Sequence, residues 1–273
     1  MSQQKTASSG GASDAMKSTF AMIVIPVLFV ISLLIFFFVM GNSANFEGGD
    51  PAKGHPLNVF GTIYKGGIIV PFLLTCFFTT FVMAIERFIT IGKAGGKGSV
   101  ADFVVKVRNM IRGNDIDKAM KECDAQQGVV ANVVKAGLLK YKEMEANTTL
   151  DNEKKELGIS KDIEEATSLE MPMLEKNLTI LATLASISTL LGLLGTVVGM
   201  IRAFGALANT GAPDTSALAT GISEALINTA FGIGTSMFAI IFYNYFTSKI
   251  DSLTYGIDEA GFSIIQTFAS KNH

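Results

Sequence analysis

The chain has 273 residues, of which 49% are hydrophobic and 17% charged, and its formal net charge is -2. With a mean hydropathy of +0.41, this composition excludes an ordinary soluble enzyme and favours a membrane protein. The small net charge gives no reason to expect nucleic acid as a partner. Two cysteines and two histidines give neither a disulfide framework nor a metal-ligand spacing, and we expect no cofactor.

Four apolar segments are each long enough to cross about 30 Å of hydrocarbon. The predicted fold is therefore an all-α membrane protein whose long helices extend into a cytoplasmic helical domain. Its boundaries are a disordered cytoplasmic terminus at 1–19, a transmembrane helix at 20–40, a periplasmic loop at 41–65, a transmembrane helix at 66–88, a cytoplasmic helical domain at 89–177, a transmembrane helix at 178–204, a periplasmic loop at 205–218, a transmembrane helix at 219–247 and a cytoplasmic C-terminal helix at 248–273.

The first span, 20–40, is also compatible with a signal peptide, because residues 42–44 read Asn-Ser-Ala and offer a cleavage site. Its apolar core is longer than a typical signal sequence, and the residues before it are only weakly basic. We interpret it as an uncleaved helix that faces lipid. Glycine and proline in 41–65 predict an irregular loop after it.

Orientation follows from the basic residues. Fifteen of the 22 Lys and Arg residues lie between Arg87 and Lys176, so this middle segment is expected in the cytoplasm. Both termini are then cytoplasmic, and the 41–65 and 205–218 loops are external.

Helical spacing of apolar residues marks the cytoplasmic segment. It predicts one helix from Val100 that Gly113 ends, a second that Asp115 caps, and a third over 129–146. A fourth begins near Ser160 and continues into the third span.

Small and hydroxyl residues form stripes along the third span at steps of three and four. They include Thr189, Gly192, Gly195, Thr196 and Gly199. Such stripes let helix backbones approach closely in lipid. Tight helix packing alone is one explanation, and a functional interior is the other.

The fourth span repeats the pattern with Gly221, Ala225, Thr229 and Gly232, and it adds Glu224 and Asn228 on a neighbouring face. A carboxyl group inside a span is costly and indicates a functional site by default. The alternative is that Glu224 merely reaches the outer interface.

Thr196 and Thr229 are predicted at similar depths. Thr196 lies eight residues before Phe204 and Thr229 ten after Ala219, which correspond to about 12 Å and about 15 Å at the rise of an α-helix. Hydroxyls on adjacent antiparallel helices suit a proton path or a close-fitting partner helix better than a wide ion pore.

The chain resembles the MotA/TolQ/ExbB proton-channel family, and within that family it is most similar to ExbB. The resemblance rests on GLLGTVVGM (192–200) and EALINTAFGI (224–233), with support from AIERF (84–88) and IRGNDIDKAMKEC (111–123). It covers about residues 65–250. The chain departs from many relatives in having Thr189 and Phe238 where they have proline, and its span at 20–40 is extra relative to three-span ExbB proteins.

The resemblance implies an inner-membrane, multi-pass subunit of a homopentamer, in contact with membrane lipids. The third and fourth spans would enclose helices of an ExbD-type partner, and the complex would use the proton-motive force to drive a TonB-type protein. It also implies that Thr196, Thr229 and Glu224 belong to the proton-conducting interior, and we add Thr189 and Asn228 as candidates. Gly192, Gly195, Gly199, Gly221, Ala225 and Gly232 are candidates for helix packing.

Two other functions remain open: a TolQ-like subunit of the Tol-Pal system, and a purely structural membrane scaffold. An intramembrane enzyme has little support, because no catalytic motif lies in the spans. Glu224 is the only carboxylate within 20–40, 66–85, 178–203 and 222–246. A proton path would therefore need a mid-membrane carboxylate from a single-span partner, with an Asp in its helix.

Overall fold

The computed structural model describes residues 10–52, 54–208 and 214–272. Over these ranges the chain forms helices joined by short turns, and the one extended feature is an antiparallel bridge between Phe46 and Pro56. The α-helices are α1 (Gly10–Leu34), α2 (Val59–Tyr64), α3 (Val70–Ala94), α4 (Val100–Arg112), α5 (Ile116–Gln126), α6 (Gly128–Ala146), α7 (Asn152–Glu175), α8 (Leu178–Leu207) and α9 (Thr215–Asn272).

Four of the described helical stretches are long and apolar enough to cross a membrane. They lie within Phe20–Met40, Gly67–Ala94, Asn152–Leu207 and Thr215–Lys271. The predicted all-α membrane fold is confirmed. The residues form two compact units, one from the described part of Met1–Ala84 with Ile180–Phe242, the other from Ile85–Thr179 with the described part of Tyr243–His273.

In the first unit, α1 packs against α3. The rings of Phe29 and Phe72 lie 5.2 Å apart, and Phe36 and Met40 are buried with Val70 of α3. Much of the surface of Phe20–Met40 is apolar and open, with Met22 75% and Phe38 72% exposed. This is the surface that a helix in contact with lipid needs.

The start of α1 corrects one expectation. The helix begins at Gly10, so 10–19 is helical rather than disordered, while residues 1–9 lie outside the described range. Extending an existing helix adds one hydrogen bond per residue without a new nucleation cost. Ala12, Ala15 and Met16 are also good helix formers.

The described residues of the predicted loop at 41–65 are arranged around the buried side chain of Asn45. Its Nδ2 donates to the carbonyls of Val39 and Met40, at 2.7 and 2.9 Å, where α1 continues as a π-helical turn. Its Oδ1 accepts from Asn58 Nδ2 at 2.8 Å, and Asn58 Oδ1 caps α2 by accepting from the Gly61 N–H. One side chain thus ties α2 to the end of the first span.

In the second unit, Arg87 caps the end of α7. Its Nη1 donates to the carbonyls of Leu174 and Met173, at 2.9 and 3.4 Å. Glu86 accepts from the other side of the guanidinium at 2.6 and 2.5 Å, and Asn177 Nδ2 also donates to Glu86. Only a guanidinium bonds carbonyls and a carboxylate at once in this way.

One predicted helix start and one predicted helix cap in this unit are wrong. The helix expected near Ser160 begins at Asn152, because Asp151 Oδ1 accepts from the Lys154 N–H at 2.8 Å and caps it earlier. Asp115 precedes α5 as expected, but its side chain pairs with Lys118 at 2.8 Å and makes no cap bond. Only Lys176 and Asn177 separate α7 from α8, and α9 runs unbroken for 58 residues.

Candidate functional site

The hydroxyls of Thr196 on α8 and Thr229 on α9 contact each other. The Thr196 hydroxyl is also 3.2 Å from the Gly192 carbonyl oxygen, and the Thr229 hydroxyl is 3.0 Å from the Ala225 carbonyl oxygen. One hydroxyl therefore donates to the other, and the second donates to the carbonyl of its own helix. A hydroxyl has one proton to donate and two lone pairs. The pair therefore retains acceptor sites in an otherwise apolar helix interface. The helix rise predicted similar depths for Thr196 and Thr229, and in the structure their hydroxyls are in direct contact.

The two helices approach closely because glycine lies at their crossing points. A Cβ at Gly232 would stand 2.5 Å from the Ser188 carbonyl oxygen and 2.8 Å from the Gly192 Cα. Both distances are shorter than any real Cβ contact, so alanine would already force the helices apart. Gly192 lies on the other side of this crossing, with Gly232 and Thr229 within van der Waals reach of its own Cβ position.

A second crossing lies nearer the outer link. A Cβ at Gly199 would stand 2.7 Å from the Gly221 carbonyl oxygen, and one at Gly221 would stand 2.8 Å from the Ala203 N. Ala225 packs here and is 2% exposed. Gly195 makes room for Asn228, whose Cβ would lie 2.3 Å from a Cβ at that position. The six residues predicted for helix packing all lie between α8 and α9.

Asn228 faces α3 rather than Thr229. It is fully buried, and its Nδ2 donates to the Gly66 carbonyl at 2.8 Å. Its Oδ1 is buried without a hydrogen-bond partner among the described residues. Gly66 and Gly67 form a turn just before α3. Gly67 has a left-handed φ of +75°, which glycine adopts at little cost.

Glu224 is one turn away on the same face and is 3% exposed. Arg202 Nη1 donates to both of its carboxylate oxygens, at 2.6 and 2.8 Å. A Cβ at Gly67 would lie 2.4 Å from Glu224 Oε1, so glycine is needed there for space as well as for its φ. Asn228 thus joins α9 by a hydrogen bond to the residues just before α3, and Glu224 packs against Gly67 beside it.

Arg202 was not among the site residues that the sequence predicted. It is the one basic residue within 20–40, 66–85, 178–203 and 222–246, and its side chain is 52% exposed. A charge inside a span is expected to pair with an opposite charge. The sequence contains the signal for this pair. Arg202 lies two residues before the end of one span, and Glu224 lies five residues after the start of the next, so the two opposite charges are at similar depths.

Thr189 is separate from these groups. It is half-buried on α8, and its hydroxyl donates to the Ala185 carbonyl at 3.3 Å. Ser236 on α9 donates to the same carbonyl at 2.6 Å. The structure thus brings together Thr196 with Thr229, and Glu224 with Asn228, while Thr189 lies about two turns from Thr196 along α8.

Residues 125–259 match the MotA/TolQ/ExbB proton channel family. The match contains both crossing points, the threonine pair and the Arg202–Glu224 pair. The chain belongs to this family. Its members are proton-channel subunits rather than enzymes, as the absence of a catalytic motif in the spans led us to expect.

Relatives carry both ExbB and TolQ names. An ExbB-like protein 3 of Synechocystis is 40% identical over 88 residues, which are 32% of this chain and 42% of that protein. TolQ of the Pseudomonas aeruginosa Tol-Pal system is 32% identical over 145 residues, 52% of this chain and 62% of TolQ. An ExbB homologue of Methanothermobacter thermautotrophicus is 25% identical over 200 residues, 71% of this chain and 66% of that protein. The chain thus covers less than two thirds of each of these relatives.

Proposed function

We propose that the chain is an ExbB-like subunit of an inner-membrane proton channel that works as a motor. With an ExbD-type partner it uses the proton-motive force to energise TonB-dependent transport across the outer membrane. The observation that carries this proposal is the contact between the Thr196 and Thr229 hydroxyls, in a chain whose family is one of proton channels. Paired hydroxyls between apolar helices suit a narrow proton path.

The path requires a second protein. Neither threonine titrates near neutral pH, and Glu224 is already engaged by Arg202. A proton crossing the membrane releases about 2.3 kcal/mol per 100 mV, yet this chain offers no other carboxylate within its four apolar segments to carry it. A single-span partner with an aspartate at mid-depth supplies that group, inside a homopentamer of this chain.

Proton flux into liposomes tests the proposal. The chain is reconstituted with and without its ExbD-type partner, and acidification is followed with a pH-sensitive dye under an imposed potential. Thr196→Val keeps the volume and removes the hydroxyl, so we expect assembly to survive and the partner-dependent flux to fall sharply. Thr196→Ser keeps the hydroxyl and should retain flux. Equal flux from the Val variant would support a structural scaffold instead.

A TolQ-like role in the Tol-Pal system is the second candidate. Pseudomonas aeruginosa TolQ is 32% identical over 145 residues, whereas the ExbB homologue of Methanothermobacter thermautotrophicus is 25% identical over 200. The two roles differ in the protein that is driven. Expression in a strain that lacks ExbB and in one that lacks TolQ separates them: the ExbB-like role restores TonB-dependent uptake, and the TolQ-like role restores envelope integrity.

A further inference from the structure

The helix α2 exposes a group of apolar side chains outside the spans. Leu57 is 64%, Val59 71% and Phe60 50% exposed, and these three residues are called the outer patch below. Val59 and Phe60 are the first two residues of the six-residue helix, and Leu57 comes just before its N-cap. Three large apolar side chains on one short element are costly to leave in water, at about 25 cal/mol for each Å².

The C-terminal end of α2 is fixed to the first span. The Tyr64 ring stacks on Phe36, with centroids 4.7 Å apart and planes at 23°, and Ile63 packs on the same cluster. Gly61 is buried where a Cβ would lie 2.6 Å from the Asn45 carbonyl oxygen. The outer patch is therefore held by rigid contacts rather than carried on a loose loop.

These contacts determine how deep the outer patch lies. Phe36 belongs to the apolar stretch Phe20–Met40, four residues or about 6 Å from its end. Tyr64, stacked on Phe36, consequently lies within about 6 Å of the edge of the hydrocarbon. The six residues of α2 extend no more than about 9 Å. The headgroup layer adds about 5–8 Å on each side of the hydrocarbon, so the outer patch lies within or next to this layer.

We propose that the outer patch inserts into the lipid leaflet that borders residues 41–65, and that α2 is an interfacial anchor beside the first span. The chemistry of the segment fits a membrane interface. Tyr64 is an amphipathic ring of the kind enriched at this level, and the Lys65 ammonium turns away from the outer patch to donate to the Ala52 carbonyl at 3.0 Å. Ile68, 57% exposed at the start of the next span, continues the apolar surface.

The chain contains no tryptophan, so a single introduced tryptophan reports on its own surroundings. Phe60→Trp places the probe in the outer patch, and Glu47→Trp places it at an exposed acidic position of the same segment. Both full-length variants are reconstituted in phosphatidylcholine vesicles, with and without bromine-labelled acyl chains. We expect Phe60→Trp to emit at shorter wavelength than Glu47→Trp and to be quenched several-fold more by the brominated lipid.

Two results would overturn the proposal. Equal, weak quenching of both variants would mean that the outer patch faces water. Emission at short wavelength without quenching would mean that protein, not lipid, covers it. Val59→Trp serves as a second reporter if Phe60→Trp alters the melting temperature, and it should give the same quenching.

Discussion

Arg202 and Glu224 form an ion pair across antiparallel helices, with Arg202 Nη1 at 2.6 and 2.8 Å from the two carboxylate oxygens. The pair is asymmetric, because the Arg202 side chain is 52% exposed and that of Glu224 only 4%. Both carboxylate oxygens of buried Glu224 thus accept from the more exposed guanidinium. Any role of Glu224 in proton entry must therefore include Arg202.

Replacing Glu224 tests that role. Glu224→Gln keeps the shape and hydrogen bonding but cannot titrate, whereas Glu224→Asp keeps the charge with a shorter reach. If Glu224 is an entry relay, energised uptake falls strongly with Gln and partly with Asp, and the oligomer survives in both. If Glu224 only caps the helix start, Gln is nearly silent. Uptake and native oligomer size are measured for both variants.

Replacing Arg202 distinguishes a structural ion pair from a proton relay through Glu224. Arg202→Gln leaves Glu224 buried without its counter-charge, and breaking a buried pair costs about 3–5 kcal/mol; half exposure of Arg202 reduces this figure. The double variant Arg202→Glu/Glu224→Arg restores a pair with reversed positions. We expect it to recover the melting temperature but not uptake. Recovery of both would show that the pair is structural.

The sequence predicted the helices of the membrane unit well because length and hydropathy are local properties. It also predicted the depth of Thr196 and Thr229, since a fixed helix rise converts sequence distance into depth. The Arg202–Glu224 pair was not predicted, although both charges were visible in the sequence, because it joins two helices across 22 residues of sequence.

Other features depend on contacts that no local pattern reveals. Asn45 bonds the carbonyls of Val39 and Met40 and the side chain of Asn58, and only the folded chain brings these groups together. The glycines and prolines of 41–65 therefore predicted only an irregular loop and not the contacts that order it. Asn228 was predicted on a face next to that of Thr229, but nothing in the local pattern showed that its side chain reaches Gly66, 162 residues away.

Helix packing is tested by alanine at two glycines of α9. Gly232→Ala places a Cβ 2.5 Å from the Ser188 carbonyl oxygen, whereas Gly234→Ala meets nothing within 4 Å. We expect Gly232→Ala to lower the melting temperature in detergent and to disturb the Thr196–Thr229 contact. Gly234→Ala should be neutral or stabilise by up to about 1 kcal/mol through helix propensity. Similar melting temperatures for the two would refute close packing at Gly232.

Arg87 offers a test in the second unit. Arg87→Ala removes the donor to the Leu174 carbonyl and leaves Glu86 without its guanidinium partner, so we expect a loss of about 3 kcal/mol of unfolding free energy. Arg87→Lys should recover only part of it, because an ammonium lacks the planar fork. The double variant Arg87→Ala/Glu86→Gln should lose less than the sum of the single changes. Additive losses would contradict a coupled pair.

Cys123 links the stability of this unit to alkaline pH. Burial raises the pKa of the Cys123 thiol to about 12, with Asp124 adding to the effect, while an exposed thiol has a pKa of about 8.5. The folded state therefore keeps the Cys123 thiol proton over the pH range in which the unfolded state loses it. Its contribution to stability is complete below about pH 8.5 and declines as the pH rises towards 12.

Thiol labelling checks this in a background where Cys76 is replaced by alanine. At pH 8 a thiol of pKa about 12 is ionised in only about one molecule in 10,000, and the thiolate is the reactive form. We expect maleimide to label Cys123 rapidly in the denatured chain and hardly at all in the folded one. The Cys123→Ala variant should lose less unfolding free energy between pH 8 and pH 10 than the parent. Rapid labelling of the folded chain at pH 8, or equal alkaline slopes for the two proteins, would contradict a buried protonated thiol.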